Sequence, residues 1–563
     1  MRLHGPVVLA TLLALPALHA NAAAPAPATS HLHAHSPFAH PLNDEADAPL
    51  VSTGGDGRLR YGRYRARDGA AAEHIVPDFS RAGYRGGGIA LPAREALPVR
   101  VVLSPAQGED DQPRIQQAID AVSALPPDAN GVRGVVLLKQ GHYTLAQGLR
   151  IRAGGVVLRG EGRAADGTVL RSTYSGPQGR IIEVGNRETA VPQPAARPAM
   201  TRITAERVPV GAMYLSLAST QGYRVGDSIA LMRTPNEAWL GSQGIDTARY
   251  GWAAADYVMH YERVVTAVDA GGLQLDAPVV DAIEQRFGGG SVYRTDIARI
   301  GEVGIEDLRL EGNPQTGTAV GTPDTGPYTA IRFGGVRDGW VRNVTLRYVS
   351  HGITAHNGAH FNTFQDLAYL DPRYGQTQGV RRYVYDYEGN AAFNLTQRCY
   401  AEQGRHSFVT GARVPGPNVF LDCLAVDGSN DSGPHHRWAT GTLYDNTRDR
   451  QLRVQHRRGS GTGHGWPGAQ QMFWNTDSAR YVLQAPPHAM NWSVGQIGER
   501  VPGKFPPEEP AGIVQSPHAV VTPRSLYLQQ LHDRLGEQAV INITTAAQRQ
   551  GRLWDELAAR RGE

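Results

Sequence analysis

The stretch Ser432–Asn446, SGPHHRWATGTLYDN, gathers side chains that could do chemistry. His435, His436 and Arg437 follow one another between glycines, where a simple turn would favour Gly, Asn, Asp or Ser. Three bulky polar groups at such a position favour a functional site. For any single histidine, a purely structural bond to a backbone carbonyl stays an open alternative.

Further polar groups of the same kind occur one interval before and one interval after this stretch. Arg405 and His406 precede it in QGRHSF, and His464 follows it in GTGHGW. If each interval is one coil of a repeating fold, the groups line up along one groove. The residues that we predict to be catalytic are His436, Arg437, His435, His464, Arg405, His406 and Tyr444. Those that we predict to bind substrate are Trp438, Trp466, Tyr385 and His356.

Histidine, arginine and tyrosine together suit the β-elimination of a uronic-acid polysaccharide. A base removes the C5 proton, a cation neutralises the adjacent carboxylate, and an acid protonates the leaving oxygen. Only two lysines occur, Lys139 in a predicted early strand and Lys504 in a Pro-rich linker. We therefore expect a His or Arg base, with Arg437 or Arg405 as the neutralising cation and Tyr444 as the acid.

Three alternatives stay open. Glycoside hydrolysis requires two carboxylates across the scissile bond, which Asp422, Asp427 and Asp431 could supply. A calcium ion could take the neutralising role, and Asp371, Asp386 and Glu388 offer oxygen ligands of the kind that calcium prefers, although the metal ligands stay undetermined. A non-catalytic glycan-binding protein would instead show stacked exposed aromatic side chains, and the histidine-rich segments count against it.

A repeat predicts the scaffold that would align these residues. NLTQRCYAEQG from Asn394 and NVFLDCLAVDG from Asn418 match at an offset of 24 residues (418 minus 394). Such a period, with alternating apolar residues and turn glycines, is typical of a β-solenoid. Cys399 and Cys423 would then lie on adjacent strands, either as a disulfide or as two stacked thiols.

The segment before the repeat carries a more specific pattern. DDQPRIQQAIDAV, from Asp110 to Val122, reads as an amphipathic helix, and three short β-runs follow in GVVLLKQGHYTLAQGLRIRAGGVVLRGEG. Over residues 108–172 this resembles the pectate-lyase superfamily. The resemblance implies a right-handed parallel β-helix with an N-terminal capping helix and activity on polysaccharides.

We divide the chain into five parts. They are a signal peptide at 1–24, a flexible leader and N-terminal extension at 25–95, the β-helix at 96–498 with a β-insert at about 200–285, a Pro-rich linker at 499–522, and C-terminal helices at 523–563. We expect the helices to pack along the solenoid or to cap its end. The predicted fold class is therefore all-β.

Composition and charge narrow the functional classes. A net charge of +3 is too small to indicate a nucleic-acid partner, and the apolar run near the N-terminus is too short to span a bilayer. The sequence predicts a secreted or periplasmic monomer that cleaves an acidic polysaccharide as a lyase. Hydrolysis is the second choice, and no cofactor other than calcium is considered.

Overall fold

The computed structural model describes residues 42–43, 48–106, 108, 110–174, 179–186, 200–314, 327–372 and 382–563. The predicted signal peptide lies outside these residues. The body of the protein is a right-handed parallel β-helix, which confirms the predicted fold class.

Parallel strands that recur once per coil build the solenoid. Within the described residues the longest sheet has 17 strands. They are Val99–Leu103, Gly134–Leu138, Gly141–Leu145, Val156–Arg159, Thr168–Ser172, Gly304–Glu311, Trp340–Arg347, Thr363–Gln365, Ala368–Leu370, Leu395–Gln397, Tyr400–Glu402, Asn418–Leu421, Leu424–Val426, Ala439–Asp445, Gly468–Trp474, Trp492–Val494 and Ile513–Gln515.

A second parallel sheet, here called the site sheet, carries most of the predicted functional residues. Its strands are Leu149–Ile151, Gly179–Gly185, Pro327–Gly334, His351–His356, Tyr383–Tyr387, His406–Thr410 and Gly433–Pro434. A three-stranded parallel sheet follows it, formed by Gln451–Val454, Asp477–Leu483 and Ile497–Arg500.

Side chains at equivalent positions of successive coils stack in the interior. Asn362, Asn394 and Asn418 form an asparagine ladder, in which the Nδ2 of each of the first two donates to the Oδ1 of the next, at 2.9 and 3.2 Å. All three are fully buried. The offset of 24 residues read from the sequence therefore corresponds to one coil.

The two cysteines stack in the same way. Both are buried free thiols, and Tyr400 pairs with Leu424 in the flanking strands. Of the two arrangements left open by the sequence, the structure shows the stacked thiols.

The predicted capping helix spans Gln112–Ser123. It buries Ile115, Ala118, Ile119 and Val122 against the first coils, at the helical spacing read from the sequence. The helix thus closes the N-terminal end of the apolar interior.

The β-insert is present and extends slightly beyond its predicted end. Its strands, Thr201–Arg202, Arg207–Val208, Tyr214–Ser216, Ser228–Arg233, Met259–Val268, Gly272–Leu275, Ile283–Glu284 and Gly290–Arg294, pair with one another in antiparallel fashion. Two helices, Glu237–Ser242 and Thr247–Tyr250, and a 3-10 turn, Ala254–Tyr257, lie between its strands. We call residues 200–294 the insert.

The segment before the β-helix is packed rather than flexible from residue 48 onwards, which corrects the predicted leader. It contains Val51–Thr53, which pairs with Leu59–Gly62, and Tyr64–Arg65, which pairs with Ala72–His74; Leu42–Asn43 pairs in parallel with Leu59–Gly62. Short 3-10 turns lie at Tyr84–Gly86 and Arg94–Ala96.

The C-terminal helices lie along the solenoid, as predicted. They span Leu526–Leu535, Glu537–Ile543, Ala546–Gln550 and Trp554–Ala558, followed by the 3-10 turn Ala559–Gly562. Leu526, Tyr527 and Leu531 share an apolar cluster with Tyr61 and Phe79 of the segment before the β-helix.

The predicted linker at 499–522 contains another strand of the solenoid. Ile513–Gln515 pairs in parallel with Trp492–Val494, so the coils continue past residue 498. The prolines of this region hid the strand, because proline clusters are typical of loops.

Candidate active site

Four histidines from the predicted site meet in one place. We call His406, His435, His436 and His464 the histidine cluster. The ring centroid of His435 lies 4.5 Å from that of His406, 5.3 Å from that of His436 and 4.9 Å from that of His464. The rings of His436 and His464 are 5.1 Å apart. The stacking of coils therefore gathers residues that are far apart along the chain.

A buried ion pair fixes one side of the cluster. The Nδ1 of His406 lies 2.6 Å from the backbone carbonyl of Asp431, and because a carbonyl only accepts, this nitrogen carries the proton. The Asp431 carboxylate accepts from Arg457 Nη2, and both residues are buried. His406 is thus held in one tautomer with its Nε2 lone pair free.

The pKa of every histidine in the cluster lies below its ordinary value. Burial lowers the pKa of His406 and of His464 to about 4, and that of His436 to about 3. Burial, followed by the charge of Arg457, also lowers the pKa of His435. The cluster is therefore a set of neutral imidazoles at neutral pH.

These imidazoles keep unused hydrogen-bonding capacity. Among the described residues, Nε2 of His406 and Nδ1 of His435, His436 and His464 are buried without a hydrogen-bond partner. A buried polar atom without a partner is costly and calls for an explanation. A polar ligand that reaches the cluster would supply such partners.

Arginines surround the cluster with positive charge. Arg457 acts electrostatically on all four histidines, Arg437 on His436 and His464, and Arg405 on His406 and His464. His436, His464, Arg405 and Arg437 are partly exposed, whereas His406 and His435 are buried. The site is thus a cationic depression whose outer rim is open to solvent.

The insert packs against the loops that carry His436 and His464. Trp252 Nε1 donates to Gly463 O at 2.7 Å, and Arg437 Nη2 donates to Tyr250 O at 3.4 Å. A Cβ on Gly463 would lie 1.9 Å from Tyr250 O, so only glycine allows this approach. The glycines around His464 therefore seat the insert beside the site.

The two tryptophans predicted to line a groove lie in the interior instead, and that prediction is wrong. Trp438 is 1% exposed and donates from Nε1 to Asp281 at 3.0 Å, while Trp466 is fully buried and donates to Gln243 O at 3.1 Å. Both join the insert to the solenoid. Their neighbours in sequence face the site, but these side chains fill an interface with the insert that sequence alone does not show.

Two predicted tyrosines also lie inside the solenoid. Tyr444 is fully buried with its ring 5.3 Å from that of Phe420, so its predicted role as the acid is wrong. Tyr385 is 1% exposed and donates to Tyr400 O at 2.8 Å, which excludes it from a substrate surface. His356 is partly exposed at the end of its strand, and its binding role stays a prediction.

The predicted carboxylates of a hydrolase do not meet at the site. Asp422 is paired with Arg524, Asp427 with Arg561 and Asp431 with Arg457. The first two pairs involve the C-terminal segment, whereas the third belongs to the histidine cluster. Burial raises the pKa of Asp431, but Arg457 and His406 outweigh it, and the net shift is downward.

The possible calcium ligands are likewise dispersed. Asp371 accepts from Arg347 Nε at 2.7 Å, whereas Asp386 and Glu388 hydrogen-bond each other on the site sheet. No group of three or more His, Cys, Asp or Glu within the described part of the chain is placed to hold a metal ion.

Sequence reasoning missed two side chains of the site. Tyr383 places its ring 5.0 Å from that of His406 and 5.3 Å from that of His435, and Arg457 holds Asp431. Tyr383 alternates with Tyr385 and Tyr387, so its different direction leaves no pattern to read. Arg457 was detectable in principle, because it follows Asp431 by one coil in the same charged stretch.

The fold and the site define a parallel β-helix protein with a histidine- and arginine-lined lateral site. No protein-family model and no curated protein matches the sequence. Each helix in the described ranges is too short or too polar to cross a membrane.

Solved structures similar to this chain have low sequence identity to it. One is the tailspike gp61 of Pseudomonas phage phi297, with a TM-score of 0.39, 14% identity, and coverage of 72% of this chain and 60% of the tailspike. Another is the A-module of the Azotobacter vinelandii mannuronan C-5 epimerase AlgE4, with a TM-score of 0.33, 12% identity, and coverage of 73% and 92%. A third is the DFA-IIIase of Arthrobacter chlorophenolicus A6, with a TM-score of 0.34, 10% identity, and coverage of 70% and 69%.

Proposed function

We propose that the protein is an exported polysaccharide lyase that cleaves a uronic-acid polymer by β-elimination at the histidine cluster. The observation that carries the proposal is the convergence of four neutral imidazoles with Arg405, Arg437 and Arg457 on one partly open face. The resemblance to the pectate-lyase superfamily in the first coils supports the same class.

Each side chain has a role that its surroundings suit. His436 and His464 lie at the open rim, are neutral at neutral pH, and can accept the C5 proton. Arg437 and Arg405, beside them, can neutralise the uronate carboxylate as it takes on enolate character. Their positive charge would also draw a polyanion to the site.

Substrate binding would strengthen the base. An anionic carboxylate beside an imidazole raises its pKa, because a nearby opposite charge favours the protonated form. The histidines are weak bases in the free protein, with pKa values of about 3 and 4 for His436 and His464. They would become stronger bases when the uronate arrives.

The geometry favours elimination over two-carboxylate hydrolysis. Hydrolysis of that kind needs carboxyl groups separated by about 5–10 Å across the bond. Asp386 and Glu388 are in direct hydrogen-bond contact, and Asp431 is neutralised by Arg457. The burial of Trp438 and Trp466 removes the stacked aromatic surface that a binding module would present.

A panel of uronic-acid polymers tests the proposal, with the ultraviolet absorbance of unsaturated chain ends as the readout. We expect His436→Ala to lower kcat on the active polymer by about 100-fold or more, because general base catalysis is worth roughly 10²–10⁴-fold. His142→Ala, at an exposed histidine of the strand Gly141–Leu145, is the matched control and should keep full activity.

Three outcomes would contradict the proposal. Reducing ends without the absorbance would favour hydrolysis, and polymer binding without any cleavage would favour a binding module. Full activity of the His436 variant would remove this site from the reaction. A chelator arm with calcium restored tests whether a cation shares the role of the arginines.

A further inference from the structure

Two carboxyl groups on the site sheet share one hydrogen bond. Asp386 lies in the strand Tyr383–Tyr387 and is 3% exposed, and Glu388 follows that strand and is partly exposed. Two carboxylates in contact cannot both be ionised at low cost, so such a pair retains a proton. Burial raises the pKa of both groups, that of Glu388 to about 7, with the charge of Arg332 opposing the rise.

The backbone leaves space for the outer carboxyl group. A Cβ on Gly411 would lie 2.4 Å from Cδ of Glu388, so the carboxyl group occupies the space beside this glycine. Gly411 N donates to Tyr387 O at 2.8 Å, and His435 N donates to Thr410 O at 2.8 Å. The ladder therefore places Glu388 and His435 two strands apart, with roughly 10 Å between their backbones.

Tyr383 connects the pair to the histidine cluster. Its ring contacts His406 and His435, and its hydroxyl interacts electrostatically with Arg405, Asp386, Arg457 and Glu388. Independently, Oδ1 of Asp386 is a buried atom without a hydrogen-bond partner among the described residues. The pair thus faces the same depression as the histidines and has capacity for a further polar group.

The elimination still lacks a proton donor once Tyr444 is excluded. Burial raises the pKa of Tyr383, which makes its hydroxyl a poorer acid than an ordinary phenol. We propose that the Asp386–Glu388 pair is the general acid of the reaction, with Glu388 contacting the leaving glycosidic oxygen. This role rests on the proposed function of the site.

The step balances without a further reactant. A neutral imidazole takes the C5 proton, the C5–H electrons form the C4–C5 double bond, and the C4–O bond breaks with its electrons on oxygen. The proton of the carboxyl pair moves to that oxygen, which leaves the pair as two carboxylates. The imidazolium and the pair then return to their starting states by exchanging protons with solvent.

The experiment compares two leaving groups at C4. On the polymer that the wild type cleaves, we expect Glu388→Gln to lower kcat by about 10²–10⁴-fold. On an oligosaccharide analogue whose C4 leaving group is fluoride, which departs without a proton, the same variant should stay within a few-fold of wild type. Gly411→Ala, which displaces the carboxyl group without adding charge, should show the same selectivity more weakly. Gly241→Ala, at a glycine with open space around it, is the matched control.

The opposing results are separable. Equal losses of Glu388→Gln on both substrates would show a structural role and overturn the proposal. A polymer-selective loss in Tyr383→Phe but not in Glu388→Gln would assign the acid to the tyrosine. If the wild type forms no unsaturated product from any uronic-acid substrate, including the fluoride analogue, the elimination itself fails and this role with it. Thermal unfolding of each variant separates loss of fold from loss of catalysis.

Discussion

Burial sets the chemistry of the individual histidines. His406, His435, His436 and His464 lie among one another and beside arginines, so each loses the stabilisation of its charged form by water. The same residues on a solvated loop would be half protonated near pH 6.5. Their neutrality is thus a property of the assembled coils and cannot be read from the residue types.

This neutrality predicts an unusual pH profile. A base must be unprotonated to act, and protonation of His436 and His464 requires the pH to fall through about 3 and 4. We therefore expect the acid limb of kcat/KM, which reports the free enzyme, to lie below pH 5. Steady-state assays between pH 3.5 and 8 check this, and a limb between pH 6 and 7 would contradict the buried, neutral cluster.

At the scale of elements, ion pairs attach the C-terminal helices to the solenoid. Arg524, just before the helix Leu526–Leu535, donates from Nη1 and Nη2 to Asp422 at 2.6 and 3.0 Å. Asp422 is fully buried. Asp445 also accepts from Ser525 Oγ at 2.7 Å, which fixes the first turn of the helix.

We expect Arg524→Ala to destabilise the protein strongly. The substitution leaves a buried carboxylate without its charged partner, a change that costs about 3–5 kcal/mol. Arg561→Ala removes an exposed pair with Asp427 and should cost less than about 1 kcal/mol. Thermal unfolding and limited proteolysis of the C-terminal segment measure both, and equal effects of the two variants would contradict the assignment.

Part of this element level was predictable from sequence and part was not. The periodic apolar residues of the capping helix and of the C-terminal helices predicted both elements. The strand Ile513–Gln515 was missed because it follows a proline-rich run. The burial of Trp438 and Trp466 was missed because it depends on the insert, whose position on the solenoid has no local sequence signal.

At the scale of the whole molecule, stacked polar side chains define the register of the coils. Asn394 Nδ2 donates to Ala359 O at 2.9 Å and to Asn418 Oδ1 at 3.2 Å, while its Oδ1 accepts from Asn362. The asparagines matched in the repeat predicted this stacking. The same register gathers the histidine cluster, which is why the predicted histidines meet although the tyrosine and tryptophan predictions failed.

We expect Asn394→Ala to weaken the solenoid by at least about 2 kcal/mol, because it leaves buried amide groups of both neighbouring coils unsatisfied. Asn130→Ala, at an exposed position, should change stability by less than about 0.5 kcal/mol. Calorimetry of the two variants provides the comparison. Equal melting temperatures would show that the ladder contributes nothing to stability.

The shared apolar cluster of the two chain ends has a consequence for the order of assembly. Gln530 Nε2 donates to Tyr61 across 469 positions, and Tyr527 donates to Ala82 O at 2.6 Å. Each coil can settle on the one before it as soon as it leaves the ribosome or a translocation pore. The flank that awaits residues 526–543 stays uncovered throughout that time, so the longest-range contacts of the molecule are also the last to form.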